Sequence, residues 1–303
     1  MNGNLIITVG ISVSGKSTWA HKQWWKDPSK YVIVNRDKIR ELLFGFTEQS
    51  IEQYYLRDDV AKFEKQITRY EDTLINDGLN HGKTVIVDAT HLTRAYLERF
   101  KYWNVPTDIV IFEVELKEAI ERDLNRDRQV GDTIITKQYN RFLGLMQQLA
   151  KEPIDFEPVQ FIQNPDNINC VIFDIDGTLA HMDRNDRSPY DWHKVGGDTL
   201  DYPTRLMAQA LDLTACKVII CTGRDAVCIE ETEEWLFKHS IMYDEIHIRP
   251  RGDQRVDWIV KEEMFRKIAE DNYIVGIFDD RLQVVRRARA LGLKVFNVEY
   301  SNF

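Results

Sequence analysis

Two short runs in the sequence combine the residue types that handle phosphate groups. The first, residues 10–17, reads Gly-Ile-Ser-Val-Ser-Gly-Lys-Ser and lies between a predicted strand and a predicted helix. In such a loop, successive backbone N–H groups and the helix N-terminus bind phosphate oxygens. Lys16 would reach the β- and γ-phosphates of a nucleoside triphosphate, and the Ser17 hydroxyl would ligate Mg²⁺. The run therefore predicts a phosphate-binding loop (P-loop), with Gly10 and Gly15 in its turn.

The second run, Asp174 to Leu179, reads Asp-Ile-Asp-Gly-Thr-Leu and follows an apolar strand pattern. Asp174 can attack phosphorus and form an acyl phosphate. Asp176 can protonate the leaving oxygen and then activate water. The pattern is the haloacid-dehalogenase-type phosphatase signature. Three further motifs of this signature follow in the expected order. Thr222-Gly223-Arg224 could hold phosphate oxygens, and Lys261 could neutralise the acyl phosphate. Asp279-Asp280 could hold Mg²⁺.

Other polar residues near the predicted strand ends of the first half could complete a phosphoryl-transfer site. Asp37 could take the proton from an attacking hydroxyl, although a helix N-cap is the alternative. Arg40, three residues on, could hold a substrate phosphate. Asp88 suits a Mg²⁺ partner or a capping role. A later group of arginines could close as a lid over the transferring phosphoryl group or lie on a solvated helix face: Arg122, Arg126 and Arg128.

The elements that position these residues alternate between strand and helix in both halves. Short apolar runs predict strands at 5–9, 31–34, 84–87, 109–114, 170–173, 217–221, 274–278 and 294–298. Helical patterns fill the intervals, which indicates two parallel-sheet α/β domains. Three prolines in a stretch without periodicity predict a linker over 153–167, between domains 1–152 and 168–303. Open α/β sheets bind ligands at the carboxyl ends of their strands, where the polar residues lie.

Composition narrows the classes of protein. The chain has 303 residues, 43% of them hydrophobic, and a net charge of -9, which excludes disordered and collagen-like classes and argues against coating of duplex nucleic acid. None of the four cysteines forms a C-x-x-C pair, so a reducing cytoplasm fits better than a disulfide framework. No run of about 18 apolar residues is present to span a membrane, and the start lacks a signal-peptide pattern. We expect a cytoplasmic protein.

The combination of a P-loop half and a D-x-D-G-T half resembles the T-even phage type of polynucleotide kinase–3′-phosphatase over essentially the whole chain. The resemblance implies an N-terminal P-loop kinase fold and a C-terminal haloacid-dehalogenase-like (Rossmannoid) phosphatase fold. These motifs carry it: Gly10 to Trp19, Asn35-Arg36-Asp37 with Arg40, Asp88-Ala89-Thr90, Arg122 with Arg126, Phe173 to Leu179, Gly252-Asp253-x-Arg255, Val260 to Glu263, and Asp279-Asp280-Arg281.

The same resemblance implies roles for individual residues. The first domain would phosphorylate a 5′-hydroxyl of DNA or RNA from ATP, and the second would remove a 3′-phosphate. In the first domain, the residues that would bind the donor and its Mg²⁺ are Gly10, Gly15, Lys16, Ser17, Thr18 and Asp88. Asp37 would be the general base, and Arg40 would hold the phosphate of the acceptor. Arg126 would be the lid arginine. In the second, Asp174 would be the nucleophile and Asp176 the acid/base, with phosphate or substrate held by Arg187, Thr222, Gly223, Arg224 and Lys261, and Mg²⁺ by Asp174, Asp176, Asp279 and Asp280.

The family is homotetrameric and serves nucleic-acid end repair. Nucleic-acid ends and an RNA or DNA ligase are therefore the expected partners. If a phage encodes the chain, the expected location is the host-cell cytoplasm. Two departures stand out: Val13 replaces the loop glycine and Ser12 the preceding proline. Arg128 also competes with Arg126 for the lid role. A small-metabolite kinase–phosphatase and an end-binding scaffold with one inactive domain are the alternatives.

Overall fold

The computed structural model describes residues 3–45, 54, 56–126, 129–183, 187–212 and 214–298. The chain divides into two compact units, Met1–Pro158 and Val159–Phe303, and the boundary falls within the segment 153–167. Each unit contains one parallel sheet of four or five strands, which confirms the two-domain α/β prediction. Across the described part of the chain, no helix is both long enough and apolar enough to cross a bilayer.

The first sheet brings three phosphate-handling strand ends side by side. Its strands are β1 (Asn4–Val9), β2 (Tyr31–Asn35), β3 (Thr84–Asp88) and β4 (Thr107–Ile111), in the order β2-β3-β1-β4 and all parallel. Buried parallel strands need apolar residues on both faces, and this explains the continuous apolar runs of β1 and β3. Asn35 lies opposite Asp88 in the register, so β2 and β3 end together beside the start of the P-loop.

The helices of the first unit follow the sequence patterns. They are α1 (Lys16–Lys26), α2 (Arg36–Phe44), α3 (Val60–Asn80), α4 (Arg94–Glu98), α5 (Leu116–Leu124) and α6 (Asp132–Lys151), with a 3₁₀ helix at Arg99–Trp103 after α4. The apolar stripe of α3 is buried at Ile67, Ile75 and Leu79, spaced as one helical face requires. The same helix also buries Glu71 and Asp72, which the apolar pattern does not predict.

The second sheet places the predicted phosphatase residues at adjacent strand ends. Its strands are β5 (Ile168–Phe173), β8 (Lys217–Asp225), β9 (Glu245–Arg249), β10 (Asn272–Asp279) and β11 (Val295–Asn297), in the parallel order β11-β10-β5-β8-β9. A small antiparallel pair, β6 (Ala180–His181) and β7 (Thr199–Leu200), follows β5. The central strand β5 thus lies between β10 and β8, and these three strands lead to Asp174, Asp279 and Thr222.

Helices cover both faces of the second sheet: α7 (Tyr202–Asp212), α8 (Ile229–Lys238), α9 (Asp257–Asp271) and α10 (Leu282–Ala290). One core packs Val260 and Phe265 of α9 with Val284 of α10 against the sheet. The other packs Trp235 and Leu236 of α8 on the opposite face. Because the apolar face of α9 packs against the sheet, Lys261, one turn after the start of this helix, is held rigidly beside the strand ends.

Some element boundaries differ from the predictions for local reasons. The strand predicted at 109–114 is β4, which ends at Ile111. Phe112 leaves the strand after its N–H donates to the Val9 carbonyl (2.7 Å), and its ring packs edge-on against Trp19 of α1 at 5.7 Å. In the interval after the strand predicted at 217–221, helix α8 begins only at Ile229, after a 3₁₀ turn in which the Asp225 carboxylate accepts the Val227 N–H.

Candidate active sites

The P-loop is built as the glycine spacing predicts. It connects β1 to α1, and its first N–H, on Gly10, donates to the Thr90 carbonyl at 3.1 Å. A Cβ at residue 10 would lie 2.6 Å from the carbonyl oxygen of Phe112 and 2.8 Å from the Ser14 hydroxyl. Only glycine allows this close approach. Ser17 and Thr18 are exposed at the start of α1, where a bound anion would meet the helix N-terminus.

Lys16 is buried beneath this loop. Its Nζ donates to the Ile11 carbonyl at 2.5 Å and to the Ser14 hydroxyl at 3.3 Å. Burial lowers the pKa of Lys16 to about 8, against the attraction of Asp88 and with the help of the Arg126 charge. Asp88 and Arg126 thus both act electrostatically on Lys16. The roles of Lys16 and Arg126 on the donor and of Asp88 on Mg²⁺ stay predictions. Arg126 is exposed, whereas Arg128 lies outside the described residues.

The two departures from the family pattern have structural consequences in the loop. Val13 adopts φ 59°, a left-handed conformation that strains a β-branched residue. Its carbonyl accepts a hydrogen bond from Arg122 of α5 at 3.2 Å. The Ser12 N–H donates to Gln138 of α6 at 2.7 Å, a bond that proline could not make because it has no N–H. Hydrogen bonds from α5 and α6 therefore hold the loop at both unusual positions, Val13 and Ser12.

The residues at the ends of β2 and β3 form a connected group. The Asn35 side chain caps α2 by accepting the N–H groups of Asp37 and Lys38, and its Nδ2 donates to the Asp88 carboxylate at 3.0 Å. The predicted N-cap role of Asp37 thus belongs to Asn35. Asp37 is left 68% exposed and bonded to Arg40 at 2.6 Å, where its carboxylate is accessible to a substrate hydroxyl.

Arg40 is buried, and a glutamate that sequence reasoning missed orients it. Glu64 of α3 accepts from Arg40 Nε at 3.0 Å and from Arg40 Nη2 at 3.1 Å. The same carboxylate accepts from Arg36 at 2.7 Å and from the Tyr54 hydroxyl at 2.7 Å. A planar guanidinium held through two nitrogens has little freedom, so Glu64 fixes the direction of the nitrogen that reaches Asp37.

In the second unit, a tight turn after β5 sets the spacing of two carboxylates. Gly177 has φ 82°, and a Cβ there would lie 2.3 Å from a carboxylate oxygen of Asp280. Both features require glycine. The turn is closed by the Gly177 N–H on the Ala180 carbonyl at 2.7 Å. The chain can therefore bring Asp174, Asp176 and the end of β10 to one point.

Asp174 is buried against Lys261 of α9. Lys261 Nζ lies 2.9 Å from the Asp174 carboxylate and 2.7 Å from that of Asp279. Burial raises the pKa of Asp174 to about 7, with Lys261 opposing the shift and Asp279 adding to it. Burial alone would lower the pKa of Lys261, but the neighbouring carboxylates hold it well above its usual value. The lysine is thus charged and placed to neutralise a phosphorylated Asp174.

Asp176 faces a different group, made of two arginines and an aspartate. Arg224 donates to its two oxygens at 2.9 and 2.8 Å, and Arg187 approaches at 3.3 Å. Asp198 accepts from both arginines, at 2.5 Å from Arg187 and 2.7 Å from Arg224. Burial would raise the pKa of Asp176, but the arginines outweigh it and hold the pKa below its usual value. Asp198 was not predicted, and only its contacts reveal it.

The phosphate-binding segment at the end of β8 is fixed by a second unpredicted aspartate. Thr222 is fully buried and its hydroxyl accepts the Arg224 N–H at 3.2 Å, and the Gly223 carbonyl accepts from Arg249 at 2.9 Å. Asp257 then binds Arg249 at 2.7 Å and Arg281 at 2.9 Å. Asp257 stands one helical turn before Lys261, so the shared face of α9 was a signal that could have found it.

The carboxylates fit a divalent cation. One oxygen each from Asp174, Asp279 and Asp280 lies within 4.8 Å of the others, and all three residues are buried. Carboxylate oxygens are the ligands that Mg²⁺ takes, and the pKa of Asp279 is raised by burial and by the nearby Asp280, a repulsion that a cation would relieve. Asp176, also predicted as a ligand, is not in this group because its oxygens face the arginines.

Comparisons with known proteins find a matching family for each half of the chain. Residues 168–303 match the family described as polynucleotide kinase PNKP phosphatase domain, and residues 5–149 match the family described as AAA domain. The second domain is thus similar to the phosphatase domain of polynucleotide kinase–phosphatases, and the first is similar to AAA domains. The chain combines a P-loop kinase domain with a haloacid-dehalogenase-type phosphatase domain. A nucleoside triphosphate and Mg²⁺ are the cofactors of such domains, and the T-even phage type remains a prediction.

Two individual relatives align over nearly the whole length of this chain. A protein of the Autographa californica nuclear polyhedrosis virus, named as a bifunctional polynucleotide kinase/RNA ligase, is 28% identical over 97% of this chain. The chain spans 42% of that viral protein's length. A chain of the solved "Pnkp1/Rnl/Hen1 RNA repair complex" is 28% identical, with a TM-score of 0.46, over 99% of this chain and 97% of that chain.

The backbone strain at Val13 leads to a prediction. Val13→Gly is expected to raise the free energy of unfolding of the kinase unit by about 1 kcal/mol, because the relieved backbone strain exceeds the added entropy of the unfolded chain. Calorimetry with and without ATP identifies the transition of this unit and measures the change. Val13→Ala, which keeps the Cβ, is the matched control and is expected to gain less. A lower midpoint for Val13→Gly than for the unmodified protein would contradict the assignment of strain.

Proposed function

We propose that the protein heals nucleic-acid ends. The first unit phosphorylates a 5′-hydroxyl from ATP, and the second removes a 3′-phosphate through a phosphoaspartate on Asp174. The observation that carries this proposal is the presence in one chain of a PNKP-type phosphatase domain and a P-loop domain with an Asp37–Arg40 pair on α2, directly after the Asn35 that contacts Asp88. A phosphatase alone would need no P-loop, and a P-loop kinase alone would need no buried Asp174–Lys261 centre.

In the kinase step, the chain supplies charge, positioning and a base. The N–H groups from Gly15 to Ser17, at the start of α1, and the Lys16 ammonium hold the donor's phosphates. Mg²⁺, when bound near Ser17 and Asp88, would neutralise charge on the transferring phosphoryl group. Arg126 supplies a further positive charge from the lid side, with Arg128 as the alternative, and Thr18 supports the donor site from the first turn of α1.

The acceptor is activated by the Asp37–Arg40 pair. Asp37 takes the proton from the 5′-hydroxyl while the oxygen of that hydroxyl attacks the γ-phosphorus. The bond between the γ-phosphorus and the leaving nucleoside diphosphate then breaks. Arg40 holds the acceptor's phosphate and the Asp37 carboxylate together, which orients the hydroxyl. Because Glu64 fixes Arg40 through two nitrogens, this geometry exists before substrate binds, as efficient catalysis requires.

In the phosphatase step, Asp174 attacks the phosphorus of the 3′-phosphate. An aspartyl–phosphate bond forms, the bond to the 3′-oxygen breaks, and Asp176 gives its proton to that oxygen. Asp176 then takes a proton from water, which attacks phosphorus and releases phosphate from Asp174. The arginines hold Asp176 ionised before substrate binds. Because Asp176 must carry a proton to act as the acid, substrate binding has to raise the pKa of Asp176. The negative charge of the phosphate bound beside Asp176 raises this pKa.

The remaining residues of the phosphatase site hold the phosphoryl group in place. Thr222, Gly223 and Lys261 bind its oxygens, and Arg224 and Arg187 balance the charge of Asp176. Asp174, Asp279 and Asp280 would hold Mg²⁺, which lowers the repulsion between the incoming phosphate and the buried carboxylates. The rigid packing of α9 keeps Lys261 at 2.9 Å from the nucleophile.

The proposal also includes an oligomeric state, a partner enzyme and a cellular compartment. We expect a homotetramer, as in the resembling family, acting on ends that an RNA or DNA ligase then joins. The viral relative carries a ligase in its name and is longer than this chain, which supports a ligase as the partner. The four cysteines are unpaired, in keeping with a reducing cytoplasm.

The test against a small-metabolite kinase–phosphatase is a competition. Oligonucleotides with 5′-hydroxyl ends are compared with nucleosides as acceptors, and 3′-phosphorylated oligonucleotides with sugar phosphates as phosphatase substrates. We expect higher kcat/KM for the oligonucleotides and inhibition of small-molecule turnover by them. Faster turnover of the small molecules, without inhibition by oligonucleotide, would contradict the proposal.

A further inference from the structure

The cavity above the phosphatase centre is larger than a phosphate group needs. It has a volume of about 1040 Å³ and is lined by Asp174, Asp176 and Lys261. Pockets of this size hold drug-sized ligands. The same cavity is also lined by Pro189, Tyr190 and Trp192, which contribute apolar and aromatic surface. A substrate that fills it must therefore present a bulky group beside the phosphate.

Two aromatic rings in this cavity are placed to accept a flat ligand. The rings of Tyr190 and Trp192 lie 6.2 Å apart at an interplanar angle of 88°. Trp192 is partly buried, whereas Tyr190 is 80% exposed. An exposed aromatic side chain within a polar active-site cavity is typical of a ligand contact rather than of packing.

The chain holds these rings close to the reaction centre. Arg187 is buried between Asp176 and Asp198, and Tyr190 follows it by only three residues, a span of roughly 10 Å at most. The turn between them is fixed by the Ser188 N–H on the Asp191 carboxylate (2.8 Å) and the Tyr190 N–H on the Ser188 hydroxyl (3.3 Å). A nucleoside bound through its 3′-phosphate at Asp174 lies within reach of both rings.

The charges of the cavity favour stacking over further phosphate binding. Each arginine or lysine that lines it forms an ion pair with a carboxylate: Arg187, Arg224, Arg249, Arg255, Lys261 and Arg281. These pairs neutralise the cations that would otherwise attract the backbone of an oligonucleotide. Affinity for a nucleic-acid end over a small phosphate ester must then come from a non-ionic contact, and base stacking on aromatic rings supplies one.

We propose that Tyr190 and Trp192 form a stacking platform for the base of the 3′-terminal nucleotide, with the base face to face on one ring and in edge contact with the other, because the two rings are nearly perpendicular. The inference rests on the proposed 3′-phosphatase function and assigns the specificity of that site to a base contact. Because every base has a flat aromatic face, the platform selects for the presence of a base without selecting its identity. Tyr190 and Trp192 are specificity residues in this account and take no part in the bond-breaking steps.

The test compares two oligonucleotides that differ only in their last nucleotide. One carries a 3′-phosphate on a normal terminal nucleotide, and the other on an abasic terminal sugar. The ratio of their kcat/KM values is measured for the unmodified protein and for Tyr190→Ala, Trp192→Ala and Tyr190→Phe. We expect each alanine variant to lower this ratio by roughly tenfold or more and Tyr190→Phe to retain it. Phe237→Ala removes an aromatic ring that is equally exposed, 85%, but outside the cavity, and is expected to keep the ratio.

Four results would overturn the proposal. If the unmodified protein turns over both oligonucleotides equally well, the end-healing function survives and the platform fails. If an alanine variant slows both substrates by the same factor, the ring has a structural role and the platform also fails. If Tyr190→Phe loses the preference, the hydroxyl rather than the ring is responsible. If the unmodified protein hydrolyses a small alkyl phosphate but neither oligonucleotide, the proposed function itself fails, and the platform with it.

Discussion

Replacing Asp174 with asparagine is expected to lower 3′-phosphatase kcat by roughly 10⁴-fold or more, because no other group can form the acyl phosphate. Asparagine keeps the shape of the side chain but cannot attack phosphorus. The 5′-kinase activity of the same preparation is expected to stay at the level of the unmodified protein. Release of phosphate from a 3′-phosphorylated oligonucleotide and transfer of labelled phosphate from ATP measure the two activities side by side.

The unchanged kinase activity is an internal control for folding and concentration. Asp166→Asn, at an exposed position of the same unit, controls for loss of a negative charge and is expected to keep phosphatase activity. Lys261 retains its ion pair with Asp279 in the Asp174 variant, so the buried lysine is not left without a carboxylate. Phosphatase activity above a few per cent in Asp174→Asn would rule out this residue as nucleophile.

The corresponding change in the first unit is Asp37→Asn. We expect a loss of 5′-kinase kcat of roughly 10² to 10⁴-fold, the usual contribution of a general base, with 3′-phosphatase activity unchanged. Glu41→Gln, also on α2 and exposed, neutralises an acid of the same helix and is expected to keep full kinase activity. Equal losses in the two variants would show a general effect of charge and contradict the base assignment.

The strand-end residues of both sites could be predicted because their positions follow from short-range rules. A run of apolar residues predicts a buried parallel strand, and the polar residue after it must lie at the ligand-binding edge of the sheet. Asp88, Asp174 and Asp279 are all of this kind, and the structure places each of them at a strand end of its own sheet.

The residues that orient these groups could not be predicted in the same way. Asp198 lies 24 residues after Asp174 in irregular chain, and only the folded structure brings it between Arg187 and Arg224. Glu64 lies beside the apolar stripe of α3, where its charge would normally be solvated. Such pairings depend on long-range contacts, and no local pattern of residue types distinguishes a buried acid of this kind from a surface acid.

The most direct test of end healing uses one oligonucleotide that carries both a 5′-hydroxyl and a 3′-phosphate. It is incubated with the protein and Mg²⁺, with and without ATP, and each end is read separately by fragmentation mass spectrometry, because a gain at one end and a loss at the other cancel in the intact mass. We predict loss of the 3′-phosphate in both reactions and gain of a 5′-phosphate only with ATP. No change at either end, from a folded protein that still hydrolyses a simple phosphate ester, would contradict the account.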